Sequence, residues 1–566
     1  MFGTIFYPLS RILTAIAVFF SSFTGLFSGG SVSLGPKAPS LAPPAWPVWV
    51  HEHWVWENEG TQDSALALAD DYLEHGIPVG AVVIDRPWAT EATTFIPDPE
   101  RYPDLGDYVG QFHDRNVRVM LWATSMVNET ASNFQEAKDK GYFLSGGKTV
   151  KWWAGKGALV DYDNPEAVAW WHRQMDQVLD MGIDGWKVDG SDPYALLLLP
   201  ALNYKGQLVS WSKYKEQTYG DFFRYTREKL GNDRVISARP VDDQLLRAGF
   251  PLVFTQRDVN FAGWVGDQDN DWAGLRAALD NMFTSSLYNF VSYGSDIGGF
   301  RSSDADGNDR RKDTFLRWAQ LGALSPVMEN GGGGGEHLPW LFDDETAAIY
   351  RKFTLLHHEL IPYIYSQAAY AYERTMPTIR PRTGMYTYLL GDDILVAPFY
   401  QEGEDRTVVF PLGSDWVYLF DESKVYPGGS IRKLHFGLDE FPVFVRKGAI
   451  VPTQDQDGDW TTVRIGQPVT GTKQFGLYEQ DKQGSMLSYT KAKDSLTLRA
   501  TGTDRPLLFR ITGEAAPQSV SLGGAPLADA GSLAALKTQT SGYARENGVL
   551  WIAVRDAGAG AEITVK

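Results

Sequence analysis

Not one of the 566 residues is cysteine. Disulfides, thiolate metal sites, cysteine nucleophiles and cysteine-borne lipids are thereby excluded, while the compartment is left open, since a chain this long can be stable without covalent staples. Basic residues are scarce: 52 Lys and Arg face 70 Asp and Glu, a net charge of -18. Such a surface lacks the basic footprint that releases phosphate counterions, so no nucleic-acid partner is expected and anionic substrates are disfavoured. There is no phosphate-cradling glycine loop, no dinucleotide fingerprint after a strand and no serine at a nucleophile elbow. No cofactor is expected. His51, Glu52 and His53 look metal-like, but i, i+2 spacing on a strand supplies two ligands at most, with no third evident, so no metal is assigned. The runs DADGND from Asp304 and DQDGD from Asp455 lack Gly at the sixth and Glu at the twelfth loop position. That excludes an EF-hand and leaves a looser calcium site open.

Long apolar runs are also rare. One stands out, from Ile12 to Phe27, preceded by Arg11 and followed by Ser28, Gly29, Gly30 and Ser31. It reads as a secretory leader over 1–31, removed on export to the periplasm or medium, or else as an uncleaved membrane anchor, the one membrane contact expected. A buried helix is the third reading; the run falls short of the ~20 apolar residues of a spanning helix. Residues 32–45, rich in Pro, Ser, Ala and Gly, read as a linker. No signal specifies an oligomeric state.

What the chain does hold is ample apolar material, 43% of residues, enough for two or three domains. From Trp46 to about 377, strand-like and helix-like segments alternate, the pattern of a parallel sheet wrapped by helices. Strands are expected at 48–54, 79–84, 117–122, 183–188, 234–237, 252–255, 290–293 and 322–327, and eight would close a (β/α)8 TIM barrel. Helices are expected at 64–75, 165–181 and 274–283, the second with Asn164 as N-cap and Pro165 at its first position. No short-period repeat suggests a solenoid. Beyond Thr378 the chain turns to short β-rich segments broken by Gly, Pro and Asp, read as a proximal β-sandwich domain over 378–453 and a distal β domain over 454–566.

Two acids end apolar strands: Asp189 in GIDGWKVDG and Asp267 in FAGWVGDQDNDW. Acids at the carboxyl edge of a barrel sheet lie where active sites of that fold assemble. A pair of carboxyl groups in one cleft points to glycosidic bond cleavage, one as nucleophile and one as acid and base. The structural alternative for Asp267 is capping the next helix, for which Asp269 or Asp271 is better placed.

These segments, with GSDIGGF, FLRWAQLGALSPVM and LLGDDILVAPF in the same order, resemble glycoside hydrolase family 31, retaining α-glycosidases, from Trp54 to Pro452. The resemblance implies Asp189 as nucleophile and Asp267 as acid/base, with Lys187 holding Asp189 ionised and Phe261, Trp264 and Trp272 giving Asp267 apolar surroundings. It implies that Asp296 binds sugar hydroxyls, and it makes Arg239, or its rival Arg257, a substrate contact. Asp85 and Trp88 are further binding candidates, Trp88 covering a sugar face, and Trp122, Trp152, Trp153, Trp186 and Trp264 are candidate stacking platforms. The family's β-sandwich ahead of the barrel has no counterpart before Trp46, and its Arg-x-His after the closing strand is replaced by MENGGGGGEHLPW. Glu329 and Gly331 stand there, with Glu329 or His337 as substitute contacts, and Asp192 replaces the usual Glu three residues after the nucleophile. The implied activity is exo-hydrolysis of a terminal α-glucoside, α-galactoside or α-xyloside in an oligosaccharide or simple glycoside. Lyase or transglycosylase chemistry on the same intermediate, and a catalytically degenerate glycan-binding protein, are the alternatives.

Overall fold

The computed structural model describes residues 38–189, 201–239, 241, 256–302, 310–333, 337–455, 458–556 and 560–566. Eleven strands lie in the first part: β1 (His53–Glu57), β2 (Ala81–Ile84), β3 (Arg118–Ala123), β4 (Met126–Asn128), β5 (Val150–Trp152), β6 (Gly155–Leu159), β7 (Gly185–Val188), β8 (Val235–Ala238), β9 (Ala262–Trp264), β10 (Tyr293–Gly294) and β11 (Met328–Asn330). Eight of them form one parallel sheet, in the order β10-β9-β8-β7-β3-β2-β1-β11. The remaining seam, between β10 and β11, carries a parallel bridge pairing Asp296 with Glu329, with the Ile297 amide donating to the Glu329 carbonyl at 3.0 Å. The sheet thus curls into a TIM barrel.

Helices cover its outside: α1 (Gln62–Glu74), α2 (Leu105–Asp114), α3 (Phe134–Asp139), α4 (Pro165–Leu179), α5 (Trp211–Leu230), α6 (Trp272–Leu287), α7 (Lys312–Ala323) and α8 (Asp344–Glu373). Asn164 caps α4 as expected, accepting from the Glu166 amide with Pro165 next in line, because both residues suit a helix start. Asp271 caps α6 by accepting from the Ala273 and Gly274 amides, which leaves Asp267 free of the capping role.

Four strands fall elsewhere than the sequence suggests. Residues 48–51 form a 3-10 turn after Pro47, and β1 starts at His53. The expected strand at 252–255 lies outside the described residues; the place between β8 and β10 is taken by β9 at Ala262–Trp264. The apolar run at 322–327 is the end of α7 and the turn after it, so β11 begins only at Met328. The 290–293 run contributes just its last residue to β10.

Strands β4, β6 and β5 form a small antiparallel sheet inserted between β3 and β7. After α8, a six-stranded antiparallel sheet spans residues 379–446, and a five-stranded and a six-stranded sheet between residues 450 and 565 form the terminal β-sandwich. The last linker residues are docked on the body: the Gly484 amide donates to the Leu41 carbonyl and the Ser40 amide to Glu373 Oε2. No described helix is long and apolar enough to cross a membrane.

Candidate active site

The two candidate catalytic acids, Asp189 and Asp267, follow β7 and β9 at the carboxyl edge of the barrel. On β7, Trp186 faces outward, donating to Thr226 Oγ1 at 2.8 Å and packing on Phe95 and Phe222, so it is no sugar platform. Period-2 alternation then turns Lys187 inward and leaves Asp189 just past the strand. Asp189 Oδ1 accepts from Arg239 Nη2 at 2.6 Å, and its Oδ2 from Trp122 Nε1 at 3.2 Å. The same guanidinium reaches Asp267, with Arg239 Nη1 at 3.2 Å from Asp267 Oδ2, and it lies 4.9 Å from the Trp264 ring. One planar fork therefore holds both acids, as arginine geometry allows. Arg301, which no motif flagged, donates to the Asp267 carbonyl at 2.6 Å and sits 3.9 Å from its Oδ2.

Lys187 does not serve Asp189. It donates to Asp85 Oδ2 at 2.8 Å, and its ammonium is 3.5 Å from the Trp56 ring. Burial opposes its charge, yet the carboxylates of Asp85, Asp296 and Glu329 outweigh that and raise its pKa. Asp296 and Glu329 face each other across the β10–β11 seam, 0% and 3% exposed. Both Asp296 oxygens and Glu329 Oε1 are buried with no hydrogen-bond partner among the described residues. Burial pushes Asp296 well above its ordinary value, with the Glu329 charge adding to it, and burial pushes Glu329 up to about 7 against the pull of Lys187. Two adjacent acids with a single nearby ammonium cannot both ionise cheaply. His337 does reach back to this seam: Nδ1 meets the Ile297 carbonyl at 2.9 Å, and Nε2 is buried with no partner among the described residues. A Cβ on Gly332 would stand 2.2 Å from His337 Nε2, so the glycine makes the close approach possible. Burial drops this histidine to about 3, leaving it neutral.

Other expectations fail on position. Trp88 is buried and donates to the Trp122 carbonyl at 2.8 Å, supporting that strand instead of covering a sugar. Trp152 is spent on Asn128 Oδ1 at 2.7 Å, which fixes the inserted sheet. Phe261 stacks on Trp46, ring centroids 4.9 Å apart, ahead of β9 and thus away from Asp267. Arg257 also precedes β9; it donates to the carbonyls of Asn289 and Tyr372 and lies over the Tyr372 ring, at the amino edge. Asp192 lies outside the described residues. His51 and His53 hydrogen-bond the Pro326 and Pro78 carbonyls through Nδ1, and no group of three metal-ligating side chains occurs among the described residues. The residues that sequence reasoning missed are Trp56, under the Lys187 ammonium, and Arg301; the signal for Trp56 was its i, i+2 alternation with Trp54.

Residues 42–367 match the glycosyl hydrolases family 31 TIM-barrel domain and residues 370–451 the C-terminal domain of the same family. An α-xylosidase of Lactiplantibacillus pentosus is 27% identical over 74% of this chain and 55% of its own length. An isomaltosyltransferase of Sporosarcina globispora is 24% identical over 88% of this chain and 51% of its own. Among solved structures, the cycloalternan-forming enzyme from Listeria monocytogenes, in complex with pentasaccharide substrate, superposes with a TM-score of 0.80 at 20% identity, covering 98% of this chain and 56% of that one. The chain spans about half the length of the curated relatives it matches. With more than half of its residues accounted for by the barrel domain, the chain belongs to glycosyl hydrolase family 31.

Proposed function

We propose that the protein is a retaining, exo-acting α-glycoside hydrolase that removes a terminal α-linked sugar by double displacement. The observation that carries this reading is the pair Asp189 and Asp267, held on one guanidinium at the carboxyl edge of the barrel. In the first step an Asp189 oxygen attacks the anomeric carbon while Asp267 donates a proton to the departing glycosidic oxygen. In the second, Asp267 takes a proton from water, which displaces Asp189 and restores the original anomeric configuration. Two carboxyl groups sharing one guanidinium suit the roughly 5–5.5 Å separation of retaining enzymes better than the wider gap that admits a water between acid and base. Arg239 and Trp122 fix the Asp189 carboxylate by occupying one oxygen each, so little reorganisation is left for the reaction. The unpartnered acceptors of Asp296, Glu329 and His337 are suited to sugar hydroxyls, since each buried acceptor gains a hydrogen bond when the ring arrives.

Proton NMR of the first product formed from an aryl α-glycoside tests the mechanism. Initial release of the α-anomer is expected across whichever of the glucoside, galactoside or xyloside is turned over; initial release of the β-anomer rules out double displacement. We also propose export, on the strength of Arg11 and the apolar run after it; an unprocessed N-terminus on the purified protein and its presence in the cytosolic fraction would refute it.

A further inference from the structure

Trp153 occupies the two-residue turn between β5 and β6 and is 56% exposed, whereas most of the chain's tryptophans are buried. A half-bare indole leaves a large apolar surface in water, and it does so at the mouth of the catalytic cleft. It meets Trp122 in a T-shaped pair, ring centroids 5.9 Å apart at 79°, and Trp122 is the residue whose Nε1 donates to Asp189. Trp152 meets it in a second T-shaped pair, at 5.1 Å and 68°. One broad face is covered by the Arg86 guanidinium, 4.7 Å from the ring centroid. Beside these three neighbours the side chain still keeps more than half of its surface in water. Trp153 thus lies one ring farther out from the nucleophile than Trp122.

Arg86 is the second, independent observation. It follows Asp85 at the end of β2, is partly buried, and its guanidinium makes no ion pair or hydrogen bond among the described residues; it packs on Trp153 instead. A guanidinium carries five N–H donors in a fixed fork. In a chain with 70 acidic and 52 basic residues, an arginine left without a carboxylate beside the active site is placed there for something other than a salt bridge. Of the two acids in the adjoining cavity of about 130 Å³, Glu91 is engaged by Asn128 and Thr130, and Asp98 accepts from the Glu100 and Arg101 amides.

We propose that Trp153 and Arg86 form the leaving-group subsite, and that its occupant is a pyranose ring. The ring's C–H face stacks on the exposed indole, and the guanidinium, packed over one face of that indole, holds it in place. The assignment rests on the hydrolase reading above and adds the class of leaving group: a second sugar, not a small alcohol or a simple aryl group. Trp153 and Arg86 act on binding of the departing sugar, while the bond-breaking groups remain Asp189 and Asp267.

The test compares kcat/KM on an α-linked disaccharide with kcat/KM on the α-fluoride of the same non-reducing sugar, whose leaving atom touches no subsite. Trp153→Ala should lower the disaccharide-to-fluoride ratio roughly tenfold, Arg86→Ala should lower it severalfold, and Trp153→Phe should restore most of the loss. An unchanged ratio overturns the assignment, whether both rates stay level or both fall together; a parallel fall would mean that Trp153 merely supports Trp122 and Asp189. Titrating Asp189→Asn protein with the disaccharide asks the same question without turnover. Trp153→Ala in that background should weaken binding about tenfold, and unaltered binding refutes the subsite. If the wild-type protein turns over neither substrate, the hydrolase reading fails by itself, and the titration still decides the subsite.

Discussion

Asp184 and Asp296 are aspartates of the same barrel, both wholly buried, at opposite edges of its sheet. Asp184 precedes β7 at the amino edge and is saturated: His113 Nε2 at 2.7 Å and the Val119 amide at 2.9 Å on one oxygen, Arg118 at 2.9 Å on the other, Arg234 at 3.6 Å. Burial alone would raise its pKa, but these partners prevail and hold it below the ordinary carboxylate range. Asp296 follows β10 at the carboxyl edge with neither oxygen partnered among the described residues, beside a second acid, and is pushed the other way. A buried carboxylate given every partner stabilises one fold; one left without partners costs stability and waits for a ligand. Barrels divide labour between their edges in this sense.

The largest effect that would sharpen the contrast is catalytic. Asp189→Ala is expected to lower turnover of an accepted glycoside by roughly 10⁴-fold or more, with a thermal midpoint close to wild type. A midpoint lowered as far as that of an amino-edge variant would erase the distinction between the edges. Next in size, Asp184→Ala removes the buried carboxylate shared by Arg118 and His113 and should cost about 3–5 kcal/mol in a urea transition, while kcat/KM per folded molecule stays within a few-fold. Unaltered stability would break the comparison from the other side.

Opposite pKa shifts give opposite pH dependence. For Asp184, lowered on folding, the stabilising contribution is present above its ordinary value of 3.8 and is lost as pH falls through the folded-state value. For Glu329, raised on folding, the contribution is present below 4.5 and is lost as pH rises through about 7. Glu329→Gln should therefore flatten the decline in thermal midpoint between pH 5 and pH 8 and leave the acid limb intact; an unaltered slope would contradict a Glu329 carboxyl held protonated by burial. The smallest effect belongs to Arg257→Met, expected to cost about 1–2 kcal/mol through its lost carbonyl bonds at the amino edge, with no change in KM. A raised KM would place Arg257 at the sugar after all.

Whether a residue belongs to one edge or the other was legible in the sequence only where strand register was. The short strand before Asp189, Gly185–Val188, is ended by an acid, and it closes at Val188 as the pattern demands. Arg257 shows the converse. A strand at 252–255 would have delivered it to the carboxyl edge, but β9 lies at Ala262–Trp264, so Arg257 and Phe261 precede it and fall at the opposite edge. A similar slip hid Trp56, because β1 starts five residues later than the apolar run that signalled it. At 322–327 an apolar run with helical spacing ended α7, and Glu329 proved to lie within the last strand itself, where its backbone pairs with Asp296. Short apolar runs fit helix and strand alike, and only packing against neighbours decides between them. The partnering of Lys187 with Asp85 depended on three-dimensional proximity across 102 residues, which no local pattern encodes.

The most direct test of the central claim is to trap the covalent intermediate. Incubation with a slow fluorosugar analogue of an accepted α-glycoside, followed by peptide mass analysis, should place the adduct on Asp189, with Asp189→Asn protein unlabelled. An adduct on another carboxylate, or labelling that survives Asp189→Asn, would contradict the account.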